Sequence, residues 1–174
     1  MPPSPLFVRD AVAEDAEALS AVGTDSFLAA YGDTGDPDAI AEHVEMLFAP
    51  RNIVAEMATA EADYKIAMIG NSATGLMKLR SGNVPDVLEP RRVLELQQLY
   101  VHSDYQGYGI GRALIDAAVR YARAHDYQAI WLQAWSQADW AIPFYERNLF
   151  RRVGEIPYHM GEYVYEDWLM LREL

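Results

Sequence analysis

Residues Leu99 to Leu114 limit what this chain can fold into more than any other stretch. An apolar, β-prone run (Leu99, Tyr100, Val101) passes through a short polar loop into Gln106-Gly107-Tyr108-Gly109-Ile110-Gly111-Arg112. Beyond it, Ile110, Leu114, Ala117, Ala118 and Tyr121 recur about one helical turn apart. Strand, glycine loop and helix present bare backbone N–H groups to an anion, because the first N–H groups of a helix have no internal acceptor and the helix dipole favours negative charge there. Glycine adds no side chain, so a phosphate can approach the backbone. From spacing alone two readings stand: a diphosphate cradle, or a tight turn that packs a strand on a helix. No Lys follows the glycines as a P-loop requires. The stretch also lies past the middle of the chain, after a strand that begins with polar Glu95, Gln97 and Gln98, which argues against a dinucleotide-binding fingerprint.

At 174 residues and 51% hydrophobic, the chain is long and apolar enough for one folded domain spanning residues 1–174. The absence of Cys excludes a thiol nucleophile, a disulfide framework and cysteine metal sites, and no metal is expected. Met1-Pro2-Pro3-Ser4-Pro5 has no basic region followed by an apolar run, and no window reaches the roughly 18 apolar residues of a membrane span. A cytoplasmic protein with no membrane partner is the expectation. The net charge is −12, and its excess is local: residues 10–63 hold thirteen acids against one base, Arg51. Such a field repels nucleic acid and attracts cations. A solvated, solubilising surface is the other reading.

Periodicity and breakers order the elements. Leu6 to Val8 is a strand, Glu14 to Phe27 a helix, Gly32 to Pro37 a loop, and Asp38 to Phe48 a second helix ended by Pro50. Residues 51–62 form a third short helix. Ile66 to Ile69 and Ala73 to Leu79 are strands joined at Gly70-Asn71-Ser72, residues 81–92 are a loop containing Pro85 and Pro90, and Val93 to Val101 is a strand. The glycine-loop helix runs to His125, Gln128 to Gln133 is a strand, and Asp139 to Asn148 is a helix. Phe150 to His159 and Tyr163 to Leu171 close the chain as strands. An antiparallel front half followed by alternating strands and helices predicts an α/β fold with a mixed sheet.

Here the residues carry a resemblance. Gln106 to Gly111 matches the Gln/Arg-x-x-Gly-x-Gly/Ala motif of the Gcn5-related N-acetyltransferase (GNAT) family, and Leu99-Tyr100-Val101 precedes it as usual in that family. About thirty residues on, Ala141-Ile142-Pro143-Phe144-Tyr145-Glu146-Arg147-Asn148-Leu149-Phe150 is similar to the family's Ala-x-x-Phe-Tyr-x-x-x-Gly-Phe segment. The resemblance covers nearly the whole chain. It implies the acyl-CoA N-acyltransferase fold, a mixed sheet splayed open like a V and flanked by helices, with acetyl-CoA as co-substrate in the gap. Leu99, Tyr100 and Val101 would pair with the pantetheine arm through their backbone, and Gln106, Gly107, Tyr108, Gly109, Ile110, Gly111 and Arg112 would hold the pyrophosphate. Tyr145 matches the usual general acid. A phenol near pKa 10 stays protonated at neutral pH and can donate to a leaving thiolate.

A base is also required, because an ammonium group cannot attack. Glu95 shares a strand face with Gln97 and Leu99 and is the first candidate; His102 is the second. Three positions depart from the family pattern. Ala138 stands where Asn is frequent, and Leu149 stands where Gly precedes the final Phe, with Asn148 expected to adopt the left-handed conformation instead. Pro143 should delay or kink the helix before Tyr145.

Within the family the chain resembles bacterial spermidine/spermine N-acetyltransferases of the PaiA type. The matching features are Asp25-Ser26-Phe27 with Tyr31, the Pro37 helix with Phe48, Ile130-Trp131-Leu132 with Trp135, and Asp167-Trp168-Leu169-Met170. A Glu is expected in that group where Gln97 stands. The resemblance implies transfer of acetyl to a primary amine of a small cationic acceptor, with Tyr31, Asp33, Gln97 and His159 as acceptor-binding candidates. Asp36 and Asp38 belong to the same acidic stretch. No nucleic-acid partner is expected, and a homodimer is compatible with the family. A protein or peptide N-acetyltransferase and a non-catalytic acyl-CoA-binding module are the competing readings.

Overall fold

A computed structural model describes residues 5–89 and 91–174; the leader reading at Met1 to Ser4 and the loop position of Pro90 lie outside the described residues. The elements are β1 (Leu6–Asp10), α1 (Ala16–Tyr31), α2 (Pro37–Phe48), α3 (Pro50–Met57), β2 (Ala62–Ile69), β3 (Ser72–Arg80), β4 (Val93–Val101), α4 (Ile110–Ala124), β5 (Ala129–Trp135), α5 (Ile142–Arg147), β6 (Arg151–Met160) and β7 (Tyr163–Glu173). The strands follow the order β1-β2-β3-β4-β5-β7-β6. With β4 and β5 parallel and β1/β2, β5/β7 and β6/β7 antiparallel, the fold is the expected mixed α/β sheet flanked by helices. The chain gathers into two compact units, residues 1–78 with 98–114 and residues 79–97 with 115–174.

In the first unit β1 pairs with β2 from Leu6–Ile69 to Asp10–Lys65. The second strand therefore starts at Ala62, earlier than the apolar run at Ile66 predicts. The reason is Lys65, whose buried ammonium lies 2.6 Å from Asp10 Oδ1 and also pairs with Asp63. Burial alone would lower the Lys65 pKa; the two carboxylates instead hold it above its ordinary value. Arg9 donates to both oxygens of Asp15 at 2.7 and 2.8 Å, and the Val12 N–H donates to Asp15 Oδ2 at 2.8 Å. A 3-10 turn at Ala13–Asp15 thus precedes α1, which runs to Tyr31, past the expected end at Phe27. A Cβ on Gly23 of α1 would fall 2.3 Å from Phe48 Cδ1, so only glycine allows this approach. Asp36 Oδ1 caps α2, accepting from the Asp38 and Ala39 N–H groups. Pro50, read as a helix stop, occupies the first turn of α3, where its missing N–H is harmless.

In the second unit the parallel register pairs Val93 with Ala129, Leu94 with Ile130 and Glu95 with Trp131, while β4 itself continues to Val101. β5 pairs with β7 from Ala129–Glu173 to Trp135–Asp167. Leu88, Val93, Ala129, Trp131, Leu169 and Leu171 form a buried cluster on one face of these strands. The helix expected over Asp139 to Asn148 is confined to Ile142–Arg147, with Pro143 in its first turn.

Candidate active site

The loop of the first unit is built from its two ends. On the strand side the His102 N–H donates to Thr74 O at 3.0 Å, and Asp25 of α1 accepts from the Ser103 N–H at 2.8 Å and the Ser103 hydroxyl at 3.2 Å. The hydrogen bond from the Ser103 N–H holds the Asp25 carboxyl below its ordinary pKa. His102 Nδ1 accepts from the Asp104 N–H at 3.2 Å. His102 thereby caps the turn that follows β4, with Asp25 Oδ2 3.6 Å from the same Nδ1. On the helix side Ile110 is buried, and a Cβ on Gly75 would lie 2.8 Å from Ile110 Cγ2 and 3.2 Å from Tyr100 O. Close strand–helix packing, one of the two readings that spacing alone leaves open, is therefore present.

Between these anchors Gln106 to Gly109 are exposed, and Gly107 and Gly109 have φ of +85° and +78°. A Cβ at either would meet nothing within 4 Å, so conformation and not crowding demands glycine there. The Ala113 N–H reaches back to Gly109 O at 3.0 Å. The N–H groups before it belong to the opening turn of α4, where a helix has no internal acceptors. Gly111 lies within that turn, and Arg112 is exposed beside it. Leu99, Tyr100 and Val101 are half-buried, and the Tyr100 ring packs 5.4 Å from Phe48.

The second unit holds both catalytic candidates. Glu95 is only 3% exposed; its Oε2 accepts from Asn83 Nδ2 at 3.0 Å, and Asn83 O accepts from Trp131 Nε1 at 3.2 Å. Glu95 is thus an interior carboxyl. Gln97, two residues on, is exposed. Tyr145 sits half-buried on α5, its ring 5.3 Å from Phe144 and 5.9 Å from Phe150. The C-terminal end of α5 is held by Arg172, which donates to Asn148 O at 3.0 Å. By register Arg172 faces the side opposite Glu95, so the strands lie between Glu95 and the anchor of α5. Asn148 does not adopt the expected left-handed conformation. Its φ is −95°, because its amide donates to Phe144 O at 2.9 Å while its carbonyl receives Arg172. Leu149 turns the chain instead, at φ +68°. His159 is exposed and pairs with Val164, which puts it on the face opposite Glu95; its neighbour Tyr158 is on the Glu95 face.

The acids of residues 10–63 prove largely engaged. Asp10, Asp15, Glu45, Glu56 and Asp63 are in ion pairs, Asp25 holds the loop and Asp36 caps α2. Asp33 and Asp38 are exposed. Tyr31 joins an aromatic cluster in which Phe27 lies 5.0 Å from Tyr31 and 5.6 Å from His43. Burial lowers the His43 pKa and keeps that ring neutral.

Residues 29–149, most of the chain, match the profile of the Acetyltransferase (GNAT) family. The chain belongs to the GNAT family. An uncharacterized N-acetyltransferase from Lactobacillus delbrueckii subsp. lactis is 21% identical over 161 residues, covering 92% of this chain and 93% of the relative. The fold matches PaiA N-acetyltransferase from Thermoplasma acidophilum, solved in complex with coenzyme A, at a TM-score of 0.80 and 18% identity over 98% of this chain and 99% of that one. A GCN5-related N-acetyltransferase from Rhodopseudomonas palustris gives a TM-score of 0.77 at 20% identity, over 100% of this chain and 99% of that one. This GNAT protein is accordingly an N-acetyltransferase with the acyltransferase fold. Among the described residues no helix is long and apolar enough to cross a membrane.

Sequence reasoning gave no role to three residues that organise the site: Asp25 and Asp167 figured only in the resemblance, and Asn83 not at all. Asn83 and Asp25 each fasten a candidate element from a distant part of the chain. Asp167 is 5% exposed, and burial pushes its carboxyl up to about 7. Its one local signal is alternation: it shares the inward phase of Leu169 and Leu171.

Proposed function

We propose that this GNAT enzyme transfers acetyl from acetyl-CoA to a primary amine of a small cationic acceptor, a polyamine first among them, in the cytoplasm. The observation that carries the reading is the loop itself: two glycines at positive φ, exposed, opening α4 directly after Leu99 to Val101. Open space around both glycines and exposed Arg112 suit a pyrophosphate, so the residues fit the co-substrate. When bound, acetyl-CoA supplies the acetyl thioester. The N–H groups from Gly107 to Gly111 and the Arg112 guanidinium neutralise its diphosphate, and the backbone of Leu99 to Val101 pairs with its arm. Glu95, screened from bulk water and oriented by Asn83, accepts the proton that the acceptor's ammonium loses to become the attacking amine. The Tyr145 phenol donates a proton to the departing thiolate. Gln97, Tyr31, Asp33 and His159 are the acceptor-side candidates. The polyamine reading rests on the likeness to PaiA-type enzymes.

The test is transfer of labelled acetyl from acetyl-CoA to spermidine, lysine peptides and a panel of amines. Preference for spermidine supports the reading. Preference for peptides makes the chain a protein acetyltransferase, and acetyl-CoA binding without turnover on any amine makes it a binding module. Tyr145→Phe is expected to lower kcat by about 10²-fold or more with unchanged acetyl-CoA affinity; equal loss of both would assign Tyr145 to binding.

A further inference from the structure

We propose that Asp167 and the rings beside it form a site for a second cationic centre of the acceptor, distal to the amine that is acetylated. The inference rests on the amine-acetyltransferase reading and narrows it to acceptors with two or more ammonium groups.

Register supplies the placement. Asp167 of β7 lies between Trp135 of β5 and Ile156 of β6. Glu95 lies opposite Trp131, two side-chain repeats from Trp135 along β5, so Glu95, Trp131, Trp135 and Asp167 all project from one face. No hydrogen bond or ion pair reaches the Asp167 carboxyl among the described residues, although the residue is 95% buried by its 5% exposure. Every other acid of the second unit that the strands bury has a partner: Glu95 has Asn83. An apolar side chain at position 167 would be less costly, because a carboxylate with no partner in such surroundings loses hydration that nothing replaces. A carboxyl kept there without a protein cation suits a cation that arrives from outside.

The neighbouring rings fit the same ligand. Trp135 lies 6.3 Å from Tyr165 at 89° and 6.1 Å from Trp140 at 62°, and Trp140 is 52% exposed. Aromatic faces are negative and attract ammonium groups, most strongly where water is excluded. A carboxylate beside such rings discriminates an alkylammonium from a neutral or anionic chain end. Spacing sets the acceptor's length. Four residues along β5 and two strand spacings separate Glu95 from Asp167, which puts their Cα atoms about 16 Å apart. With both side chains on the same face, the acetylated nitrogen and the distal ammonium must be several methylenes apart.

The test compares diaminooctane with octylamine, acceptors of one length that differ in the second ammonium, together with spermidine. Steady-state kinetics of the full chain and of Asp167→Asn are measured with saturating acetyl-CoA, and melting curves confirm folding. Asp167→Asn is expected to lower the ratio of kcat/KM for diaminooctane to that for octylamine about tenfold, mainly through KM, with spermidine following diaminooctane. Asp167→Glu is expected to recover part of that ratio. An unchanged ratio in Asp167→Asn, with both acceptors turned over by the parent chain, overturns the cation site alone. Turnover of no amine by the parent chain overturns the acetyltransferase reading and the cation site with it.

Discussion

Residues 10–63 carry thirteen acids; the Glu95 face of the second unit carries two buried ones. The larger set accounts for the chain's net charge, yet most of its members pair with Arg9, Arg51, Lys65 or Lys78, cap a helix or hold a loop. Glu95 and Asp167 contribute little to the overall field and are the more exacting pair, because each is enclosed and one has no partner among the described residues. Acidity counted along a sequence reports solubility and local architecture. Acidity that costs the fold something, and is kept, is the better guide to a site.

The contrast predicts opposite responses to pH, and here the effect is largest. Asp15 and Asp25 have lowered pKa values, the first through its Arg9 hydrogen bonds and the second through Ser103. Their stabilisation is full above the unfolded carboxyl range near 4 and is lost as pH falls through their lower folded values. Asp167 is raised to about 7, so the unfolded chain ionises first and stability is lost as pH rises from about 4 to about 7. That span corresponds to about 4 kcal/mol as an upper bound. Hydrogen exchange should show β7 protection falling over this window and α1 protection constant, and Asp167→Asn should flatten the β7 profile. Parallel profiles in both units would erase the distinction.

Next in size is Glu95→Gln, expected to lower kcat/KM by about 10²-fold, near 2.7 kcal/mol, with acetyl-CoA affinity retained. If Asp33→Asn did this instead, the base would belong to the acidic first unit. Gly109→Ala, forced to φ +78°, should weaken acetyl-CoA binding by about 1–2 kcal/mol in calorimetry, a loss no acidic variant of the first unit reproduces. The smallest effect belongs to Asp33→Asn with Asp38→Asn. Being exposed, they should raise the spermidine KM about threefold or less in low salt, and the difference should vanish as salt screens it.

What the sequence made legible follows locality. Gly107 and Gly109 declare their backbone conformation by being glycine, and the Phe144-Tyr145 segment sits on one short helix, so loop and acid candidate were both readable. Pro50 and Pro143 were equally readable, because proline acts on its own backbone: α2 stops at Phe48, before Pro50, and the Tyr145 helix starts late, at Ile142, with Pro143 in its first turn. Lys65 hid a strand residue behind a charge whose partner is 55 positions away at Asp10. Asp167 was the hardest to see. Its surroundings come from Trp135 and Ile156 on two other strands, and only pairing register reveals them.

Leu149 leaves one further mark on this chain. A branched, 71% exposed side chain at φ +68° gains little from burial and bears a backbone penalty of about 1–2 kcal/mol. The protein therefore holds a dormant reserve of heat tolerance at a position that helps end the Tyr145 helix. Random libraries screened for survival after heating should return glycine at 149 early and repeatedly, restoring the residue that the family pattern carries there.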